Sequence, residues 1–219
     1  MTARELILAR IKSRVTRGDD AEREAAVDAR LSLHAANLVP ARGQGDIEHR
    51  IRVFTEMMLA VGGTVEVLDD IGDVPEAVAD YLRQGNLPAH IRHGADEKLV
   101  KLPWQRAAAI EVAEGRAVDS DKASLTRAFA GVAESGTIIL LSGPDNPTTL
   151  NFLPEAHIVV LEAENLHASY EEVWTRLRQR PMPRTVNMIS GPSRTADIEQ
   201  TIVRPAHGPK HMHVIIVRG

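Results

Sequence analysis

The sequence predicts a layered α/β domain with a helical extension at its N-terminal end, and three observations predict it. Apolar runs such as TIILL, HIVVL and HVIIV are nearly continuous, which is typical of strands covered on both faces of a parallel or mixed sheet. From Thr64 onward, such runs alternate with stretches of helical periodicity. The 219 residues are 43% hydrophobic but only 3% aromatic, so we expect a core of Ala, Val, Leu and Ile.

Helices are predicted for the N-terminal part of the chain. Apolar residues at a three-then-four spacing predict a short amphipathic helix over residues 3–17. A second helix is predicted over DIEHRIRVFTEMMLAVGG, with Asp46 as its N-cap and Gly62 as its C-terminal stop. We therefore predict a helical extension over residues 1–60 and an α/β domain over residues 61–219, which together form one compact unit.

Strands and helices alternate in the rest of the sequence. Strands are predicted for TVEVL, AHIRH, GTIILLSG, HIVVLEA, TVNMISG and MHVIIV, and more weakly for AAAIEVAEG. Helices are predicted for VPEAVADYLRQGN, SLTRAFAGVAE, SYEEVWTRLRQR and TADIEQTI. Pro75 lies in the first turn of the first of these helices, where proline is tolerated.

The composition excludes several classes of function. The chain has no cysteine, which excludes disulfides, thiolate catalysis and cysteine-ligated iron–sulfur or zinc sites within it. A formal net charge of −4 and the absence of a basic stripe argue against nucleic acid as the main partner. The segment MTARELILARIKSRV mixes charged with apolar residues, unlike a signal peptide or a membrane span. We therefore expect a soluble, cytoplasmic protein without a membrane span.

Three polar or glycine-rich loops are candidate ligand sites, because ligands of open α/β sheets bind where loops converge beyond the carboxyl ends of strands. The first loop contains Glu134, Ser135, Gly136 and Thr137. The second is LSGPDNPTTLNFLP, residues 141–154, and the third is ISGPSRTADIE.

The third loop has the composition of an anion site. Gly191 can adopt backbone angles that other residues resist, and Ser193 or Thr195 can cap a following helix. Amide groups at a helix start attract a carboxylate or phosphate, and Arg194 would add a charge-assisted bond. The alternative is a capped helix beside a solvated arginine. The carboxylate of Asp197 already complements the helix dipole and argues slightly against an anion.

The C-terminal segment PAHGPKHMHVIIVRG contributes further polar residues. His207 and Lys210 are expected to face the same mouth as the third loop. His211 and His213 would share one face of the last strand. No HExxH motif occurs, so no metal site is predicted.

Three segments in a fixed order carry a family resemblance: LTRAFAGVAESGTIILLSG, PEAHIVVLEAENL and ISGPSRTADIEQTIVRPAHGPKHMHVIIV. They resemble the LUD-domain family, in particular its lactate utilisation protein C (LutC/YkgG) branch, from about residue 107 to the C-terminus and more loosely before it. The resemblance implies a Rossmann-like layered sheet similar to the sugar-phosphate isomerase and CoA-transferase fold. It supplies no established catalytic residue, so only motif positions are carried over: Glu134, Ser135, Gly136, Thr137, Gly191, Pro192, Ser193, Arg194, Thr195, Asp197, His207, Gly208 and Pro209.

The resemblance also implies membership of a three-protein bacterial system that oxidises L-lactate to pyruvate, in which the other two proteins are cysteine-rich and bind iron–sulfur clusters. The lack of cysteine in this chain agrees with this division of roles, in which the other two proteins bind the iron–sulfur clusters. The implied role is an accessory or substrate-handling subunit that binds a small carboxylate or phosphate and no cofactor of its own.

Two alternatives stay open. The chain could be a stand-alone isomerase- or CoA-transferase-like enzyme for a phosphorylated sugar or acyl-CoA, with Glu134 or Asp197 as general base. It could also be a scaffold with a vestigial pocket. Fold analogy does not choose among these roles, and homo-oligomerisation stays open as well.

Overall fold

The computed structural model describes residues 2–14, 20–194 and 208–219, and the chain divides into two compact units, Met1–Leu38 and Val39–Gly219. The first unit contains helices α1 (Ala3–Arg14) and α2 (Asp20–Leu33), whose described side chains are all exposed. Nowhere in the described ranges does a helix combine the length and the apolar content needed to cross a membrane.

The second unit includes helix α3 (Ile47–Ala60), which the sequence analysis assigns to the extension. The side chain of Asp46 accepts a hydrogen bond from the backbone N–H of His49 at 2.8 Å, so it is the N-cap, as predicted. Phe54 and Met58 of this helix are completely buried. The extension therefore ends before α3, because one face of that helix forms part of the core of the second unit.

The second unit contains the strands and the remaining helices of the described chain. In chain order its strands are β1 (Thr64–Leu68), β2 (His90–His93), β3 (Glu111–Glu114), β4 (Ala123–Arg127), β5 (Ala130–Val132), β6 (Thr137–Leu141), β7 (Ala156–Glu162), β8 (Leu166–His167), β9 (Val186–Ile189) and β10 (His211–Val217). Its further helices are α4 (Val74–Gln84), α5 (Glu97–Val100), α6 (Thr149–Phe152) and α7 (Tyr170–Arg178).

Six of these strands form a parallel sheet in the order β1-β10-β7-β4-β2-β3. The other four form a smaller mixed sheet in the order β8-β5-β6-β9, in which β6 pairs antiparallel with both of its neighbours. The predicted α/β class with a layered sheet is confirmed.

The helix predicted for SLTRAFAGVAE is wrong. This segment forms most of β4 and all of β5, one strand in each sheet, and nearly all of its residues are buried. A short apolar run without a polar face has no periodicity that separates a buried strand from a buried helix. Its alanines favour a helix locally, and burial between sheet neighbours overrides that preference.

Side chains of β7 show how the core is divided between the two faces of the main sheet. Val159 and Leu161 point to one face, where they pack in a cluster that includes Phe54 and Met58 of α3. Ile158 and Val160 point to the other face, in a cluster that contains residues of α4. Because side chains alternate along a strand, His157 lies on the same face as Val159.

Candidate functional site

A cavity of about 280 Å³ lies where the loop after β9 meets the amino-terminal ends of β7 and β10. Its lining includes Asn151 of α6, His157 of β7, Met212 of β10 and the whole segment Ser190–Ser193. The third predicted loop thus lines a cavity, but at the amino ends of the parallel strands and not at their carboxyl ends. The reason is that this loop follows β9, which belongs to the smaller sheet.

His157 is completely buried at the second position of β7. Its Nε2 lies 2.8 Å from the hydroxyl of Thr126, whereas Nδ1 has no hydrogen-bond partner in the part of the chain that the structure describes. Burial disfavours the charged ring and lowers the pKa of His157 to about 3. The imidazole is therefore neutral at physiological pH.

Asn151 contributes a second buried polar group to the cavity. It is 1% exposed, and neither its amide nitrogen nor its amide oxygen bonds to any described residue. Helix α6 is held against β4 because the Ser124 hydroxyl donates to the carbonyl of Leu150 at 2.6 Å. Ser124 is the register neighbour of His157, so this bond holds α6 next to the start of β7, and Asn151 and His157 line the same cavity.

Buried polar atoms without a hydrogen-bond partner indicate a binding site for a polar ligand. Leaving a buried donor or acceptor unsatisfied costs about 1–3 kcal/mol, so native proteins pair nearly all of them with protein, water or ligand. Here the Nδ1 of His157 and both amide atoms of Asn151 belong to residues lining one cavity. These residues are therefore candidate contacts for a small molecule that donates and accepts hydrogen bonds.

The predicted loop holds its shape through two close contacts. Gly191 has a φ of +95°, and an added Cβ would lie 2.4 Å from Cγ2 of Val61. Ser193 donates its backbone N–H to the carbonyl of Pro209 at 2.8 Å, and Gly208 lies directly against the Ser193 side chain. Gly191–Ser193 and the pair Gly208 and Pro209, which are separate in sequence, are therefore neighbours at the cavity.

Both predicted cations of the site have partners elsewhere. The guanidinium of Arg194 donates to the carbonyl of Val61. Lys210 forms an ion pair with Glu155 at 2.8 Å, and the ammonium group holds the pKa of that carboxyl below its usual range. Neither cation lines the cavity, and the described residues that do are uncharged. Thr195, Asp197 and His207 lie outside the described residues.

The first predicted loop reaches the cavity through a cluster of hydroxyl groups. Thr137 Oγ1 lies 2.6 Å from Tyr170 Oη, 2.6 Å from Ser190 Oγ and 2.8 Å from Ser135 Oγ. Ser190 lines the cavity, whereas Ser135 and Thr137 stand behind it. Gly136, with a φ of +62°, forms the hairpin turn between β5 and β6, where the sequence analysis expects the end of a helix.

Glu134, the leading predicted general base, lies away from the cavity lining. One carboxylate oxygen accepts the N–H of Tyr170 at 3.3 Å, at the first residue of α7. The other oxygen is buried and has no partner among the described residues. A carboxylate placed at a helix start stabilises the helix dipole, which gives Glu134 a structural role.

Two further clefts lie at the carboxyl ends of the main-sheet strands. One of about 560 Å³ contains Lys98, Glu162 and Arg218, and each of these side chains is already paired with an opposite charge. The second predicted loop, over residues 141–154, lines another cleft of about 580 Å³ with residues between Ser142 and Thr149. Its later residues Asn151 and Phe152 line the cavity beside Ser190–Ser193. Within the described ranges, no three His, Asp or Glu side chains are grouped closely enough to hold a metal ion.

His157 and Thr126 were not among the site residues predicted from the sequence, and Asn151 was included only as part of the second predicted loop. Each is a single polar residue in or beside an apolar run, a pattern that marks a buried polar group without showing what it faces. The sequence signal for His157 was its position as the polar first residue of the apolar run HIVVL.

Comparison with known proteins gives one family and several partial relatives. A family model described as the LUD domain matches residues 51–217. An uncharacterised protein of Neisseria meningitidis is 29% identical over 140 residues, which cover 60% of this chain and 59% of that protein. Lactate utilization protein C of Halalkalibacterium halodurans is 35% identical over 98 residues, or 42% of this chain and 43% of that protein. The uncharacterised protein YkgG of Escherichia coli is 35% identical over 101 residues, or 43% and 44%.

The chain thus spans between 43% and 59% of the length of these relatives. A crystal structure of a DUF162 family protein from Deinococcus radiodurans has a TM-score of 0.58 and 21% sequence identity. The match covers 80% of this chain and 100% of that one, and it supports the fold.

Proposed function

This chain belongs to the LUD-domain family, and on that premise we propose that it is a component of a bacterial lactate utilisation system. In this role it holds a small 2-hydroxy or 2-oxo acid in the cavity beside Ser190–Ser193. Relatives named lactate utilization protein C support the system, and one observation supports the site: His157 and Asn151 have buried, unpartnered atoms among the described residues and line the same cavity.

The size and polarity of the cavity favour a small, partly apolar ligand. At about 280 Å³ it lies just below the range of about 300–1,000 Å³ for ligand pockets. The imidazole and the amide can bind hydroxyl, carbonyl and carboxylate oxygens, because together they offer donors and acceptors. Phe152, Met188 and Met212 supply apolar surface for a methyl group. L-lactate and pyruvate have this combination of groups.

The charge of the lining favours a carboxylate over a phosphate. No described lining residue is ionised, so the negative charge of a ligand would be stabilised by hydrogen bonds and dipoles alone. Burying an unpaired charge becomes more costly as the charge grows. A monoanion such as lactate therefore fits this lining better than a phosphate dianion.

Oxidation of L-lactate to pyruvate releases two electrons and two protons, and in this proposal the electrons leave through partner proteins. A chain without cysteine cannot supply thiolate ligands for an iron–sulfur cluster. The proposed role is therefore to bind and present the substrate, with no cofactor of its own, to cysteine-rich iron–sulfur proteins of the same system.

Calorimetric titration of the purified chain with L-lactate, pyruvate and inorganic phosphate tests the proposal. We expect L-lactate and pyruvate to bind, and Asn151→Leu to weaken both by about tenfold or more because it removes the amide. Asn187→Leu is the matched control, since Asn187 is a buried asparagine of β9 that does not line the cavity.

Affinity that is unchanged in a folded Asn151→Leu variant, or no binding of L-lactate and pyruvate to wild type, would contradict the proposal. So would turnover of a sugar phosphate or an acyl-CoA by the purified chain alone, which would support the stand-alone enzyme.

A further inference from the structure

Thr126 and His157 form an isolated hydrogen-bonded pair behind the cavity. Thr126 lies on β4 and His157 on the adjacent strand β7, and both are at most 1% exposed. The distance between Thr126 Oγ1 and His157 Nε2 is 2.8 Å. No other described residue hydrogen-bonds to the Thr126 side chain, and Nδ1 of the ring is unpartnered.

A pair of this kind has two hydrogen-bonding states with the same heavy-atom geometry. A neutral imidazole carries a hydrogen on one nitrogen and accepts at the other, while a hydroxyl can donate or accept. When Thr126 donates to Nε2, Nδ1 carries the hydrogen and is a donor. When Thr126 accepts from Nε2, Nδ1 is an acceptor. Both states hold the same number of protons and differ only in which ring nitrogen carries one.

We propose that this pair lets the cavity accept both members of a 2-hydroxy acid and 2-oxo acid couple, with His157 Nδ1 bonded to the oxygen on carbon 2. A keto oxygen can only accept, so it requires the state in which Nδ1 donates. A ligand hydroxyl can donate its own hydrogen, so it hydrogen-bonds to Nδ1 in the state in which Nδ1 accepts. This inference rests on the proposed function and adds that Thr126 is a positioning residue for His157.

The hydroxyl of Thr126 makes both states available, although accepting from Nε2 leaves its own hydrogen without an acceptor among the described residues and disfavours that state in the absence of ligand. It partners Nε2 in either state, so neither tautomer leaves that buried nitrogen unsatisfied. With an apolar residue at position 126, Nε2 would have no hydrogen-bond partner in either tautomer. The two tautomers would then differ in free energy, and one of them would dominate. The cavity would then favour one of the two ligands.

Nitrogen NMR of the imidazole rings, combined with calorimetry, tests this directly. Protonated and unprotonated ring nitrogens have well-separated ¹⁵N shifts, and a His157→Gln variant assigns the signals of His157 among the nine histidines. We expect Nδ1 to carry the hydrogen with pyruvate bound and Nε2 to carry it with L-lactate bound. Thr126→Ser should keep this behaviour because it keeps the hydroxyl.

Thr126→Val should change the ratio of the L-lactate and pyruvate dissociation constants by about three- to tenfold, the effect of one lost hydrogen bond. If both ligands bind wild type but the tautomer is the same in both complexes, the inference is overturned and the proposed function stands. If neither ligand binds wild type, both fall.

Discussion

The hydroxyl oxygens of Thr137 and Ser190 lie 2.6 Å apart, although 53 residues separate them in the sequence. Thr137 begins β6, and Ser190 follows β9, its antiparallel neighbour. Two of the three loops that the sequence predicts as candidate ligand loops are therefore joined by a hydrogen bond. The bond places the hairpin turn behind the loop that lines the cavity.

Replacing Thr137 with valine should destabilise this junction. The substitution keeps the shape but removes the only hydroxyl that contacts Ser135, Tyr170 and Ser190 together, within the described residues. Because the completely buried Thr137 hydroxyl loses its hydrogen bonds to all three partners, we expect a loss of about 1–3 kcal/mol in the free energy of unfolding, measured by urea denaturation.

Thr185→Val is the control for this measurement, since Thr185 is exposed and its hydroxyl bonds to no described residue. We expect a change of about 0.5 kcal/mol or less. Equal effects of the two substitutions would show that the hydroxyl cluster contributes nothing specific.

Gly191→Ala should distort the loop beside the cavity. The residue needs a positive φ, and its new Cβ would overlap Cγ2 of Val61, so the loop must shift. We expect a loss of about 1–3 kcal/mol in the free energy of unfolding, together with weaker binding of L-lactate. Thermal denaturation and calorimetry measure the two effects.

Gly143→Ala provides the comparison, because an added Cβ there would meet nothing within 4 Å and no positive φ is required. It should leave both stability and affinity close to wild type. An alanine tolerated equally well at position 191 would mean that the loop adapts without affecting the cavity.

Local patterns predicted much of the fold because several elements carry their own signals. Asp46 caps α3 and TVEVL forms β1 as predicted. SLTRAFAGVAE was misassigned because its strands are buried on both faces by residues distant in sequence. No local pattern in the sequence shows that α3 belongs to the core, since that follows only from its packing against the sheets.

The candidate site was predictable in part. Glycine and hydroxyl composition identified Gly191 and Ser193, which the structure places beside the cavity. His157 could not be assigned, and Asn151 could not be singled out within the second predicted loop, because their role depends on which buried atoms lack partners in three dimensions. Arg194 and Lys210 were expected to bind an anion, and their bonds to Val61 and Glu155 depend on chain segments far away in the sequence.

Ser124→Ala should loosen α6 and thereby reduce ligand affinity. The substitution leaves the buried carbonyl of Leu150 without its donor, which costs about 1–2 kcal/mol of stability. Asn151 then loses its fixed position in the cavity wall, so L-lactate should bind more weakly in calorimetry.

Ser169→Ala is the matched control, since this serine is also buried but its hydroxyl has no partner among the described residues. It should be neutral or slightly stabilising. If Ser124→Ala lowered stability without affecting affinity, the position of α6 would not matter for binding.

The stability of the protein should fall as the pH drops below about 6.5, and His213 should account for part of the loss. Its ring stacks on Tyr81 with centroids 4.2 Å apart, and Nδ1 lies 2.8 Å from the Thr64 hydroxyl. Burial lowers the pKa of His213 to about 4, although a carboxylate oxygen of Glu66 lies 3.6 Å from Nε2.

The sign follows from proton binding. Between pH 6.5 and 4 the unfolded chain protonates this histidine while the folded protein does not, so stability decreases by up to about 1.4 kcal/mol per pH unit. In the wild type His157 adds a similar contribution, which extends to about pH 3. His213→Gln should therefore flatten the fall in melting temperature between pH 7 and 4.5 without abolishing it.

His211→Gln should leave the slope unchanged, because that side chain lies on the same strand but is exposed. Melting curves that shift equally with pH in wild type and His213→Gln would mean that the folded protein protonates this ring. The His213 ring that stacks on Tyr81 would then be charged in the folded protein. If the ring instead stays neutral in the folded protein, replacing His213 must change how the melting temperature depends on pH.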